Sequence, residues 1–424
     1  MNNKELEVAV GQSRKWDARE AGREVARTAI EKLRHPPSFF LLFSTIHYEK
    51  HGGFQEFLNG VWDVLPKETP LVGGTVVGFM NKNGCYSRGA VALACSYSNM
   101  DVVIGVGHNT KKNPEKAADE CAKSILNGLE SSTLKQSFIF QLVSGPTVPH
   151  FPGVGSSFIL KGKFKSSLAA KLIETSTKKL QKGIGREEEV LEKISKIMEK
   201  SFIISGSASD DMKLSNNYQF FDRNVLTNSV VAIGLKIDRN IDVKYNHGFH
   251  KLFDEELKIT DSSFGGKIIK KINYNDAVKE FIRTINWSDS MLDERLHRKT
   301  FFFPLGCEYQ DDTLAPAAIG AILGGGFSFS FKVNSDSLYV LTASGKSIIE
   351  GIEKCVDKNA KLNFGISCCA NLVTLGDDIY IFQEKIRKYL DNFLIVFTLG
   401  EGVYLPSEHI PKFFNETNVI LSIK

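Results

Sequence analysis

The 424-residue sequence predicts a mixed α/β protein, with mixed β-sheets covered by helices in a sandwich-like arrangement of two lobes. Three observations carry that prediction. Short apolar runs that follow chain breakers alternate with segments of helical apolar spacing. Several runs are hairpin-like neighbours, which implies antiparallel pairs among parallel ones. One unit, a strand, a helix, a glycine-bearing strand and a further strand, occurs three times.

Residues 16–33 carry Ala18, Gly22, Val25, Ala26, Ala29, Ile30 and Leu33 at helical spacing and end at His35-Pro36-Pro37, so a helix and a stop are expected. The first unit then reads "SFFLLFSTIHY" as a strand, "FQEFLNGVWDVL" as a helix and "PLVGGTVVGFM" as a strand bearing Gly73-Gly74-Thr75. "RGAVALACSY" and "DVVIGVGHN" come next as neighbouring strands, and "PEKAADECAKSILNGL" is a helix with Pro114 in its first turn. The second unit is "QSFIFQLVSG", then "REEEVLEKISKIMEK" with acids in the first turn of a helix, "SFIISGSASDDM" carrying Ser205-Gly206-Ser207, and "TNSVVAIGLKI". The third is "LNFGISCCA", "DIYIFQEKIRKYL", "FLIVFTLGEGVYL" with Gly400 and Gly402, and "ETNVILSIK". The separation from first strand to glycine is 35, 68 and 38 residues (Phe39 to Gly74, Phe138 to Gly206, Leu362 to Gly400). So irregular a period argues for duplication within a compact domain and against a solenoid. It also places an insertion at about residues 150–185 of the middle unit. The expected division is a helical lead-in over 1–36, a first domain over 37–240 and a second over 241–424.

Composition sets the class. With 42% apolar and 24% charged residues, and a net charge of +4 from 53 bases and 49 acids, the chain reads as an ordinary globular protein with no bias toward nucleic acid. No apolar window reaches the roughly 18 residues of a membrane span, and the mixed-charge start is not a signal peptide; a cytoplasmic protein is expected. The seven cysteines are odd in number, with no CxxC pair, which suits reduced thiols and gives no metal-site pattern.

The candidate ligand-binding residues are the three glycine-bearing strand ends: Gly73, Gly74 and Thr75; Ser205, Gly206 and Ser207; Gly400 and Glu401. Glycine at a strand end supplies a turn or a close backbone approach. The same loops can also line a polar cleft with N–H groups and hydroxyls, with Glu401 available to an ammonium group. Three other patterns are weaker. Gly345-Lys346-Ser347 before a helix imitates a phosphate loop, but Val340 stands where the first glycine is required. His47 and His51 have metal-ligand spacing and lack a third ligand. His108, His247 and His250 lie near strand ends, where each could serve a haem as axial ligand, although a lone histidine is more often a surface or capping residue. Cys368 and Cys369 should point into opposite layers, and a nucleophilic role needs an adjacent base. No catalytic constellation stands out. The segment "LKGKFKSSLAAKLIETSTKKLQK" is basic, with Phe164 its single aromatic, and reads as a solvated helix face.

The stretches "PLVGGTVVGF", "GAVALA", "LKITDSSFGGKIIKKINYNDAVKEFI", "FGISCCANLVTLGD" and "FTLGEGVYL" with "FNETNVIL", taken in this order, resemble the FIST sensory family from about Pro37 to Lys424, with N-terminal and C-terminal FIST domains. The resemblance implies a signal-input module that binds a small ligand, amino acids being a common suggestion, and acts through a separate output protein, with a homodimer compatible. Cys368 and Asn371 enter the ligand set through it. Asn371 stands where relatives commonly carry a basic residue, which implies a different ligand if that position contacts an anion. Haem-binding nitric oxide sensing and a cysteine-dependent activity are the alternatives.

Overall fold

The computed structural model describes residues 5–148, 159–160, 166–291 and 299–424. Lys161, Lys163, Phe164 and Lys165 of the basic segment lie outside them, as does most of the start of the expected insertion.

Three six-stranded sheets are built on one plan. In each, the first strand of a unit pairs in parallel with the strand that carries or leads into the glycines, and antiparallel with the fourth strand; in the third unit the expected single strand is split, and Gly400 and Gly402 follow Phe393–Thr398. Phe39–Ser44 lies between Leu71–Thr75 and Ala90–Ser96. Gln136–Ser144 lies between Phe202–Ala208 and Ser229–Ile237. Leu362–Cys368 lies between Phe393–Thr398 and Asn418–Ile423. An antiparallel strand closes the outer side of each fourth strand: Glu7–Ser13, Met100–His108 and Ile241–Asn246. Parallel neighbours need a crossover connection, and the helices Phe54–Trp62, Glu187–Ile197 and Ile379–Arg387 supply it in the three units.

Beyond each glycine-bearing strand the chain leaves its own sheet. After Leu71–Thr75, the hairpin Gly78–Asn81/Gly84–Tyr86 crosses to the third unit and pairs with Phe393–Thr398. After Phe202–Ala208, the hairpin Gln219–Phe221/Asn224–Leu226 crosses to the first unit and pairs with Leu71–Thr75. After Phe393–Thr398, the hairpin Glu401–Tyr404/Lys412–Phe414 crosses to the second and pairs with Phe202–Ala208. Each sheet is thus completed by its neighbour's hairpin, in a closed cycle of three.

The core lies where the three sheets face one another. The rings of Phe43, Phe140 and Phe364, one from each first strand, form a triangle with centroids 5.8, 6.0 and 5.0 Å apart. Two of the three contacts are edge-to-face, the arrangement that aromatic quadrupoles favour. A further sheet, spanning residues 257–342 with the short strands 159–160 and 250–251, packs beside this core.

One local result in the lead-in differs from the expectation. The expected helix forms over Ala18–Ile30, capped by Asp17, but the lead-in also contains the strand Glu7–Ser13. Its buried positions are Glu7, Ala9, Gly11 and Ser13, small or polar residues that carry no apolar alternation to read. Gly22 has a packing role: a Cβ there would lie 2.1 Å from Phe57 O, and one on Gly60 would lie 2.1 Å from Arg19 O, so the two glycines let helices Ala18–Ile30 and Phe54–Trp62 cross at backbone contact.

Because Phe140 is fully buried and shared by all three units, Phe140→Ala should lower unfolding free energy by about 3–5 kcal/mol in chemical denaturation. A loss below about 1 kcal/mol would show that the triangle is not a central packing element.

Candidate functional site

The three glycine-bearing strand ends meet. Ser209 N donates to Thr75 O at 2.9 Å, Ser207 N to Gly400 O at 3.1 Å and Val77 N to Phe397 O at 3.0 Å, so each end is bonded to the other two. Leu142 lies between two of them, 2.6 Å from where a Gly74 Cβ would stand and 3.4 Å from a Gly206 Cβ. The convergence is internal, with no open cleft: Gly73, Gly74, Thr75, Ser205, Gly206, Ser207, Gly400 and Glu401 are all buried. Their polar groups serve the junction. Thr75 N donates to Tyr218 O at 2.9 Å, and Thr75 Oγ1 accepts from Tyr218 N at 3.0 Å. Ser205 Oγ accepts from Gln141 Nε2 at 2.8 Å. The N–H groups of Thr75 and Ser207 are therefore occupied by crossover bonds.

Beside the junction lies a group of fully buried polar side chains, Glu401 and Thr398 with Glu416 and Asn371. Glu401 pairs across the ladder with Gly206, so its side chain shares the face on which Gly206 has no side chain. Thr398 Oγ1 donates to Glu401 Oε1 at 2.8 Å, and the Thr417 N–H and the Cys368 thiol face the same carboxyl. No N–H or O–H donor reaches Glu401 Oε2 among the described residues, and a thiol is a weak donor. Glu416 sits in the turn between Lys412–Phe414 and Asn418–Ile423, with φ +54° and no solvent exposure. Neither of its oxygens meets a donor among the described residues. Asn371 gives Nδ2 to Ser367 Oγ at 3.1 Å and to Asn418 Oδ1 at 3.3 Å, while its Oδ1 is also without a donor among the described residues. Burial holds the Glu401 carboxyl well above the usual carboxylate range, helped by Cys368; burial holds Glu416 there too, helped by Glu401. Burial thus favours the neutral form of both carboxyls.

On the opposite face of Phe202–Ala208, Ser207 Oγ donates to Glu187 Oε1 at 2.9 Å. Glu187 and Lys111 are fully buried and act on each other electrostatically without forming an ion pair. Burial lowers the Lys111 ammonium to about 8. Next to them, Lys267 Nζ pairs with Glu188 at 2.6 Å, and burial raises that carboxyl to about 7.

Other candidates lie elsewhere. The strand Leu362–Cys368 ends before Cys369, which opens the helix Ala370–Thr374. Cys368 packs with Phe301 and Ala370, whereas Cys369 belongs to the apolar cluster of Val77, Met80 and Leu375. Burial pushes the Cys368 thiol up, as it pushes Cys85 up to about 12, so neither has the lowered pKa of an activated nucleophile. His108, on an outer strand, bonds Ser229 Oγ through Nδ1 at 3.1 Å. His247 accepts the Phe249 N–H at Nδ1 and bonds Leu314 O through Nε2, leaving neither nitrogen open to a metal. His250 is exposed on a short edge strand paired with Thr342. His47 bonds Thr45 Oγ1 and packs beside Trp16. Ser344 and Ser347 cap the helix Gly345–Cys355 reciprocally, and the Lys346 side chain is 85% exposed, so the phosphate-loop imitation is an ordinary capping box.

Glu416, Thr398, Glu187 and Lys111 do not stand out in the sequence. The signal for Glu416 is faint: one acid between apolar strands in "FFNETNVIL", which reads as a loop charge until burial is known.

Fold and site define a mixed α/β protein of three hairpin-exchanged units around a buried acidic junction. The family model of the FIST N domain matches residues 38–275, more than half of the chain, and the chain belongs to the FIST family. That family is associated with sensory signal transduction and small-ligand binding. Among curated proteins none matches the chain. Among the described residues no helix is long and apolar enough to cross a membrane.

The raised carboxyls give a pH signature. Where the native state keeps protons that the unfolded chain has released, stability falls as pH rises. For Glu416 that loss begins near the ordinary carboxyl value and continues upward. His47 and His247, lowered to about 4 by burial, act in the opposite sense below their unfolded value of 6.5. The clean readout is therefore a difference. Glu416→Gln should gain stability relative to the parent protein between about pH 5 and pH 8, by up to about 1.4 kcal/mol per pH unit, in denaturant titrations at each pH. A pH-independent difference would show that Glu416 is already ionised.

Proposed function

We propose that this FIST protein is a sensor whose ligand, a small metabolite of the amino-acid or related class, binds beside Glu401 and Glu416 when the strand-end junction opens to admit it, and relays its presence to a separate output protein. The observation that carries the reading is the pair Glu401 and Glu416: two fully buried acids with three of their four oxygens lacking a donor among the described residues. Buried polar groups are normally satisfied, and leaving one unsatisfied costs about 1–3 kcal/mol. A chain that keeps several together retains hydrogen-bonding capacity that a ligand can use. The location suits a relay. A ligand among the crossovers touches the segments that join all three units, so preferential binding to one arrangement of the sheets shifts the population toward it.

Thermal-shift screening of amino acids, amines and related metabolites tests this reading. At least one class should raise the melting temperature in a saturable way, and Glu401→Gln should remove that response while keeping the fold. A screen in which nothing stabilises the protein, or a stabilising ligand indifferent to Glu401→Gln, would overturn the site assignment.

A further inference from the structure

Residues 166–182 make a surface that neither the core nor the ligand reading uses. They form the helix Ser166–Thr175 and a wider helical turn, Ser176–Leu180, that continues it. Their inward positions, Ala169, Ala170, Ile173, Ser176 and Thr177, are buried, and the apolar ones pack with Ile184, Ile268 and Leu323. A helix seated in this way ordinarily turns polar residues outward. Here Leu168, Leu172 and Leu180 are exposed, by 51%, 40% and 70%. Single leucines scattered over a surface are ordinary, but these three share one short stretch, and Leu168 and Leu172, four apart, are neighbours on one helical face.

The charge around them has one sign. Lys171, Lys178, Lys179 and Lys182 are all exposed, against a single acid, Glu174, which is already paired with Lys178 at 2.7 Å. Lys171, Lys179 and Lys182 form no ion pair among the described residues. Gln181 Nε2 donates to Asn109 Oδ1 at 2.7 Å, which ties the stretch to the loop carrying the exposed Lys112. Residues 166–182 include no arginine and no aromatic residue, so they lack the forked donors and stacking planes that grip nucleic acid. A partner's groove receives a helix by its apolar face, and the inner face of this helix is already taken by its own protein. A planar anionic bilayer asks only for cations at its surface and apolar side chains that reach the acyl boundary.

We propose that this face is a membrane-contact surface: Leu168, Leu172 and Leu180 enter the headgroup and acyl boundary of a bilayer containing anionic lipid, and Lys171, Lys178, Lys179 and Lys182 meet the headgroups around them. The protein lies on the bilayer without crossing it. Long lysine stems let the ammonium groups stay among the phosphates while the leucines sink. Each lysine near such a surface strengthens binding about fivefold, and the leucines add apolar contact that charge alone does not supply, so the attachment is reversible and sensitive to salt. It does not depend on the ligand site.

Co-sedimentation of the full chain with vesicles of phosphatidylcholine alone, and of phosphatidylcholine mixed with phosphatidylserine, tests the proposal. The mixed vesicles should carry the protein down at low salt, the neutral ones should not, and binding should weaken as salt is raised. Lys179→Gln/Lys182→Gln should bind the mixed vesicles about 25-fold more weakly, and Leu172→Ser/Leu180→Ser should lose binding at every salt concentration. All four side chains are exposed, so circular dichroism should not change. Leu180→Trp reads insertion, because its added emission should shift to the blue on the mixed vesicles. No sedimentation with the mixed vesicles, unchanged binding in both double variants, or an unshifted emission would overturn the proposal. So would binding of a soluble acidic amphipathic peptide by a chain that ignores the vesicles, which would assign the face to a protein partner.

Discussion

The structure depends on three backbone hydrogen bonds that close a ring: Ser209 to Thr75, Ser207 to Gly400 and Val77 to Phe397. They occur where each glycine-bearing strand leaves its own sheet for its neighbour's. Had each hairpin folded back on its own sheet, the units could stand as separate layers. Because the hairpins are exchanged, no sheet is complete without another unit. The Phe43, Phe140 and Phe364 triangle fills the space that this closure creates. Gly74 obeys the same constraint, since a Cβ there would lie 2.4 Å from Tyr218 O and 2.6 Å from Leu142, while one at Gly206 would press on the Thr398 methyl at 3.0 Å.

At such a junction polar groups are hard to satisfy, and the protein treats them unevenly. Thr75, Ser205 and Gln141 are bound into local hydrogen bonds. Lys267 and Glu188 neutralise each other at 2.6 Å. Glu401 and Glu416 have no such ion-pair partner among the described residues, and Glu416 is held by a turn at φ +54°, a conformation unusual for a residue with a long side chain. Strain together with unmet hydrogen bonding at one point of a well-packed core marks a position kept for something other than stability.

Much of the plan is legible in the residues. The threefold recurrence of strand, helix, glycine-bearing strand and strand appears in the alternation of apolar runs and breakers, and the glycine positions coincide with the crossovers. The exchange of hairpins is not legible, because a short strand such as "GFMN" carries no mark of which edge it will join; the pairing is decided by non-local geometry. Glu7–Ser13 escapes detection for a different reason: its buried face is made of small and polar residues. Glu401 is visible beside its glycines, but Glu416 is not, since the letter E in a turn means a solvated charge unless the fold buries it. For Cys368 and Thr75 the strand end is legible and the burial is not, because strand ends are commonly at the surface and these are enclosed by neighbouring units.

Glu401 and Glu416 are fully buried acids without an ion-pair partner among the described residues, and burial favours their neutral form. Carbon-13 spectroscopy of glutamate-labelled protein, assigned with the two glutamine variants, reads their protonation directly. Both residues should give carboxylic-acid signals at neutral pH in the free protein. Two carboxylates titrating in the ordinary acidic range would contradict it.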